Sequence, residues 1–166
     1  MPDRKIFKSP KVIVLDFDGV VVESNQVKDE AFRQVFVEYD RHVNEVFEYH
    51  LANPALNRFE KFDHIQKHIL KDEEPEIVHR WAHEFSQSTL EGVSACPMVE
   101  GAQDFLEYFL SLGTRLYLAS MTPQDDLMKI LKTRALNRYF VRAYGAPLSK
   151  AETLRNIATI ENVELT

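Results

Sequence analysis

Asp16 and Asp18 stand two residues apart in Val12-Ile13-Val14-Leu15-Asp16-Phe17-Asp18-Gly19-Val20, directly after an apolar run. A carboxylate pair placed where a strand runs out can divide its labour. One acid acts as nucleophile and the other trades protons, while a divalent cation relieves their mutual repulsion. Asp and Gly are also common turn residues, so the pair alone reads equally as a solvated turn. Two further groups narrow the choice. Ser120 follows the apolar segment Leu116-Tyr117-Leu118-Ala119, and Lys150 follows Val141-Arg142-Ala143-Tyr144 at short distance. A nucleophile, an acid/base, a hydroxyl donor and a cation delivered to one rim could together hold a phosphoryl group.

The elements that must position these groups are legible from periodicity. Val12–Leu15 is apolar and mostly β-branched, which predicts a strand buried on both faces. In a parallel α/β sheet the carboxyl ends of strands open onto the ligand crevice. Four helical patterns follow. The first carries Val27, Ala31, Val35 and Tyr39, and the second carries Val43, Val46, Phe47 and Leu51 up to Asn53-Pro54. A third spans Asn57 to Lys71 with Phe59, Phe62, Ile65 and Ile69 facing inward, and a fourth starts near Pro75 with Ile77, Trp81 and Phe85 on one stripe. Alternation of strand and helix then returns. A helix through Phe105, Tyr108, Phe109 and Leu112 closes at Gly113, and a second strand covers Arg115–Ala119. Thr122-Pro123-Gln124-Asp125 predicts an N-cap, a first-turn proline and a capping-box acid. A third strand at 141–144 and a last helix through Leu154, Ile157 and Ile160 complete the pattern. The expected fold is α/β: a Rossmann-like parallel sheet with right-handed crossovers, formed by residues 1–20 and 96–166, and an α-helical insertion at 21–95.

Composition excludes several classes of function. The 166 residues are 45% hydrophobic and 28% charged with net charge −6, ordinary values for a globular chain. No stretch gathers Lys and Arg into a basic stripe, so nucleic acid is not expected as a partner. Cys96 is the single cysteine, which permits no internal disulfide and suits a reducing compartment. Met1-Pro2-Asp3-Arg4-Lys5 lacks a signal peptide's apolar region and no run approaches a membrane span, so the expected location is cytoplasmic.

The segments VIVLDFDGVVVES (12–24), LYLASMTPQ (116–124) and YGAPLSKAET (144–153), in this order and spacing, resemble the haloacid dehalogenase superfamily. The resemblance implies that Asp16 attacks phosphorus to form an aspartyl-phosphate. Asp18 would protonate the leaving alkoxide and later activate water. Ser120, with the backbone N–H of Met121, would bind phosphoryl oxygens, and Lys150 would neutralise the phosphate and orient Asp16. Phe17 and Gly19, within the same motif, join Met121 as substrate-binding candidates. The family binds Mg²⁺ through the first Asp, the second Asp's backbone carbonyl and a later acidic residue, so Asp16 and Asp18 are the expected metal ligands. An acid at Asp18 points away from dehalogenases and toward a Mg²⁺-dependent phosphatase acting on a small phosphorylated metabolite. The helical insertion resembles the cap of the β-phosphoglucomutase-like branch, which keeps a phosphomutase as the alternative. A catalytically impaired member that binds a ligand or a partner protein is the alternative from another class.

Arg58 and Lys61 lie three residues apart on the third helix, and caps of this branch often use such a cation to touch the substrate. A solvated helix face is the other reading. His64 with His68, and His79 with His83, have the i, i+4 spacing of helical metal ligands but no evident third ligand, and read as ordinary histidines. The family's fourth strand and Gly-Asp-x-x-x-Asp motif are not matched in Glu161-Asn162-Val163-Glu164-Leu165-Thr166. The expectation is therefore weak Mg²⁺ binding and an exposed apolar edge on the Asp16 strand. Such an edge points to a fragment, a further C-terminal segment, or self-association through it.

Overall fold

The computed structural model describes residues 9–164. Met1–Lys5, read above for a leader, lie outside the described residues, as do Leu165 and Thr166. The fold is mixed α/β with a parallel sheet. The chain divides into two compact units, Met1–Glu23 with Pro97–Thr166, and Ser24–Cys96. No helix among the described residues is long and apolar enough to cross a membrane.

The first unit is built on three parallel strands, β1 (Val12–Leu15), β2 (Arg115–Pro123) and β3 (Arg142–Ala146), in the order β1-β2-β3. The central position of β2 explains its sequence. Leu116 to Ser120 are all buried, so no polar alternation is needed along this run. Val12 pairs with Arg115 and Leu15 with Leu118, and Tyr117 pairs with Arg142. One face packs Tyr117, Tyr144 and Ile157 against Val12 and Val14, while alternation sends the fully buried Leu116 and Leu118 to the other. β1 is an edge strand among the described residues. Beside it an apolar groove of about 220 Å³ is lined by Leu15, Val20, Val21, Val99, Ala102, Phe105 and Leu106.

Three α-helices, numbered with those of the second unit in chain order, and a 3-10 turn at Leu136–Tyr139 belong to the first unit: α5 (Ala102–Ser111), α6 (Gln124–Thr133) and α7 (Lys150–Glu161). Thr122 lies within β2, and Pro123, the last residue of that strand, is itself the N-cap of α6, so Thr122 is no helix cap and Pro123 precedes the first turn. The strand outruns its apolar segment because Thr is β-branched and its hydroxyl finds an acceptor, described below.

The second unit packs α1 (Asn25–Val35), α2 (Val43–Ala52), α3 (Arg58–His64) and α4 (Ile77–Ala95) around an aromatic core. Phe32, Phe36, Phe62, Trp81 and Phe85 are buried, with Phe36 and Trp81 ring centroids 4.8 Å apart. Gly92 lets α1 and α4 approach closely, since a Cβ there would lie 2.5 Å from Val27 Cγ1. Asn57 caps α3 with a reciprocal Glu60 capping box.

Three expectations for this unit are corrected. The first helix, α1, ends at Val35 and leaves Tyr39 beyond it. The third helix is α-helical only to His64 and continues as a π-helical stretch, Ile65–Leu70. Phe59 is 46% exposed and Lys61 only 6%. The inward stripe is Arg58, Lys61, Phe62 and Ile65, at i, i+3, i+4 and i+7, and Phe59 falls outside it. A lysine can occupy that stripe because its ammonium is satisfied: Lys61 Nζ donates to His50 O and to His50 Nδ1, both at 3.1 Å.

Candidate active site

The site begins where β1 ends. Phe17 is fully buried and anchors the turn, while Asp16 and Asp18, two apart, fall on the opposite side of the chain and stay partly exposed. The turn closes by Val21 N–H donating to Phe17 O at 2.9 Å and Gly19 N–H to Val22 O at 2.8 Å. Gly19 holds φ at 70°, a conformation that costs other residues. Phe17 N–H donates to Asp16 Oδ1 at 2.7 Å, fixing that carboxylate.

Asp16 Oδ2 accepts from Lys150 Nζ at 2.5 Å. Lys150 is the first residue of α7, where the helix dipole disfavours a cation by about 0.3–1 kcal/mol. The Asp16 carboxylate offsets that cost. The helix start is fixed by a capping box in which Ser149 Oγ accepts from Glu152 N–H and Glu152 Oε2 accepts from Ser149 N–H at 2.9 Å. The Ser149 hydroxyl, with its backbone N–H, holds the Glu152 carboxyl below the usual range. With side chains 47% and 33% exposed, the Lys150–Asp16 pair remains open to solvent and to a ligand.

A second cluster surrounds Asp18. Ser120 Oγ donates to Asp18 Oδ2 at 3.4 Å, and Thr122 Oγ1 donates to the same oxygen at 3.3 Å. Thr122 N–H in turn donates to Ser120 Oγ at 3.0 Å. Ser120 and Thr122 share one face of β2, with Met121 turned outward and 38% exposed. Beyond Ala119 the β2–β3 register shifts, and Gln124 bridges the gap through its side-chain amide to Ala143 O and Gly145 N–H.

The structure thus brings Asp16 to Lys150 and Asp18 to Ser120, with Phe17 as anchor between the two acids. Arg58 and Lys61 lie in the helical unit. Arg58 donates to Ser86 Oγ and stacks over Phe85 with Cζ 4.7 Å from the ring centroid, and Lys61 is buried on His50. His64 stacks on Tyr49 at 4.2 Å. Thr122 and Gln124, which the sequence places at a helix start, and the Ser149–Glu152 box are not marked as site residues by the sequence alone. The i, i+2 spacing of Ser120 and Thr122 was the signal available for the first.

For a metal, Asp16 offers a carboxylate and Asp18 a main-chain carbonyl. These hard oxygens fit Mg²⁺, which keeps several waters and takes further oxygens from a phosphorylated substrate. No group of three or more His, Cys, Asp or Glu able to hold a metal occurs among the described residues.

The family model described as haloacid dehalogenase-like hydrolase matches residues 13–152. No curated protein sequence matches the chain. Among solved structures, a hydrolase of the haloacid dehalogenase-like family from Streptococcus pneumoniae superposes with TM-score 0.65 at 16% identity, covering 93% of this chain and 71% of that one. CbbY from Rhodobacter sphaeroides in complex with phosphate gives TM-score 0.70 at 14% identity, covering 93% and 73%. A variant of CbbY in complex with xylulose-(1,5)bisphosphate gives TM-score 0.72 at 13% identity with the same coverage. At these identities the likeness is one of fold.

Proposed function

Because the chain belongs to the haloacid dehalogenase-like hydrolase family, we propose that it hydrolyses the phosphate monoester of a small metabolite through an aspartyl-phosphate on Asp16. The observation that carries this reading is the 2.5 Å contact of Lys150 Nζ with Asp16 Oδ2, beside an acid on which two hydroxyls converge. The fold's likeness to CbbY, solved with phosphate and with a sugar bisphosphate, supports phosphate esters as the substrate class.

A carboxylate oxygen of Asp16 attacks phosphorus as the ester P–O bond breaks, and Asp18 in its acid form gives its proton to the leaving oxygen. Asp18, now a carboxylate, takes a proton from water as that water attacks the phosphorus of the acyl phosphate. Inorganic phosphate leaves and Asp16 is restored. The Ser120 hydroxyl and the Met121 N–H hold phosphoryl oxygens, and the Lys150 ammonium balances their charge. Mg²⁺ held by the Asp16 carboxylate and the Asp18 carbonyl would supply further neutralisation of the phosphoryl group. Arg58 donates to Ser86 and stacks on Phe85 within the helical unit, and a substrate role for it rests on the family resemblance alone. Lys61, spent on His50, is assigned to the helical core.

The test is release of phosphate from 4-nitrophenyl phosphate with Mg²⁺, comparing the native chain with Asp16→Asn. A loss of about a hundredfold or more is expected in the variant, together with loss on chelation and recovery when Mg²⁺ is restored. Equal rates for the two proteins would overturn the proposal.

A further inference from the structure

Asp18 receives two hydroxyls on one oxygen, and only one of them can stay once a phosphate arrives. The Ser120 hydroxyl has a single hydrogen. In the ligand-free protein that hydrogen points to Asp18 Oδ2 at 3.4 Å, while Ser120 Oγ accepts Thr122 N–H at 3.0 Å. If Ser120 donates to a phosphoryl oxygen, its contact with Asp18 is given up. Thr122 Oγ1, 3.3 Å from the same oxygen, is then the hydroxyl that remains.

We propose that Thr122 is a positioning residue, holding the Asp18 carboxyl through Oδ2 in the orientation from which it serves the leaving group. The inference rests on the phosphatase reading above and assigns Thr122 a task that reading does not require.

Three features support it. Thr122 is 4% exposed, so its hydroxyl cannot turn to bulk water. It is β-branched and lies within β2, which restricts χ1. Its own N–H is tied to Ser120 Oγ, so both hydroxyls share one backbone frame. The contacts at 3.3 and 3.4 Å are long for hydroxyl-to-carboxylate bonds and give direction more than stability. Catalytic hydrogen bonds are often long in ligand-free proteins and tighten when the substrate binds.

The chemistry sets the test. Proton delivery matters more for a poor leaving group than for a good one, so kcat/KM is measured for phenyl phosphate and for 4-nitrophenyl phosphate, whose phenol is the stronger acid. Thr122→Val and Thr122→Ala remove the hydroxyl, and Thr122→Ser keeps it. Both hydroxyl-less variants are expected to lose about tenfold or more on phenyl phosphate and less than about threefold on 4-nitrophenyl phosphate, with Thr122→Ser close to the native ratio. An equal fall on both substrates would assign Thr122 to the scaffold, as would a Ser variant behaving like Val, and either result overturns the inference. Asp16→Asn is run alongside. If that variant remains active, the phosphatase reading fails and takes the inference with it. If it is inactive and the substrate ratio does not move, only the inference fails.

Discussion

Gln124 carries the sheet across the point where β2 and β3 part: Nε2 donates to Ala143 O at 3.2 Å and Oε1 accepts Gly145 N–H at 2.6 Å. The amide occupies the place of a ladder peptide beside the register shift, and it ties the end of β3 to the start of α6. Gly145 is required for this closeness. A Cβ there would lie 2.5 Å from Thr122 O and 2.8 Å from the Gln124 backbone. Gln124→Ala is expected to cost about 1–3 kcal/mol by leaving a buried donor and an acceptor without this partner. Gly145→Ala is expected to cost on the order of 3 kcal/mol, because backbone must move. Urea unfolding measures both, and native-like midpoints would show that the amide bridge adds nothing to stability.

Lys150 has a catalytic consequence out of proportion to its structural one. Its half-exposed pair with Asp16 is worth little to stability, at most about 1 kcal/mol, and removing a cation from the α7 N-terminus returns part of that. Against a phosphoryl group the same ammonium offsets developing charge, so Lys150→Ala is expected to lower kcat/KM about 10²- to 10³-fold with a nearly unchanged Tm. Lys150→Arg restores the charge without the compact geometry and is expected to recover only a small part. A variant whose activity falls only in step with its Tm would show that Lys150 acts through the fold.

Asp16, Asp18, Ser120 and Lys150 are legible as candidates because each follows an apolar segment, and a parallel sheet sends all such ends to one rim. Thr122 is not, since Thr-Pro-Gln-Asp satisfies the local rules for a helix start. Only the tertiary placement of Asp18, more than a hundred positions away in sequence, draws it into β2. Phe59 and Lys61 were exchanged for a related reason. Hydropathy ranks phenylalanine as core and lysine as surface, and it has no knowledge of the His50 carbonyl and ring that make a buried ammonium tolerable. The π-helical stretch 65–70 carries no sequence mark that periodicity could register.

His50 makes the helical unit sensitive to mild acid. Its Nε2 lies 3.0 Å from Asp29 Oδ1 and its Nδ1 3.1 Å from Lys61 Nζ, so the neutral ring donates to the carboxylate and accepts from the ammonium. Burial first, and the Lys61 charge in addition, push the imidazole below its ordinary 6.5, against the opposing pull of Asp29. Burial likewise lowers the Lys61 ammonium. Between the depressed folded value and 6.5 the unfolded chain binds more protons at His50 than the folded one, so stability falls as pH falls through that window. The expected loss between about pH 7 and pH 5 is bounded by about 1.4 kcal/mol per pH unit for one proton. Trp81, the single tryptophan, is buried in this unit and reports its unfolding by fluorescence. His50→Gln offers an amide that can still donate to Asp29 and accept from Lys61 but does not titrate, and it is expected to flatten the dependence over this range. Parallel slopes for the two proteins would place the acid sensitivity elsewhere.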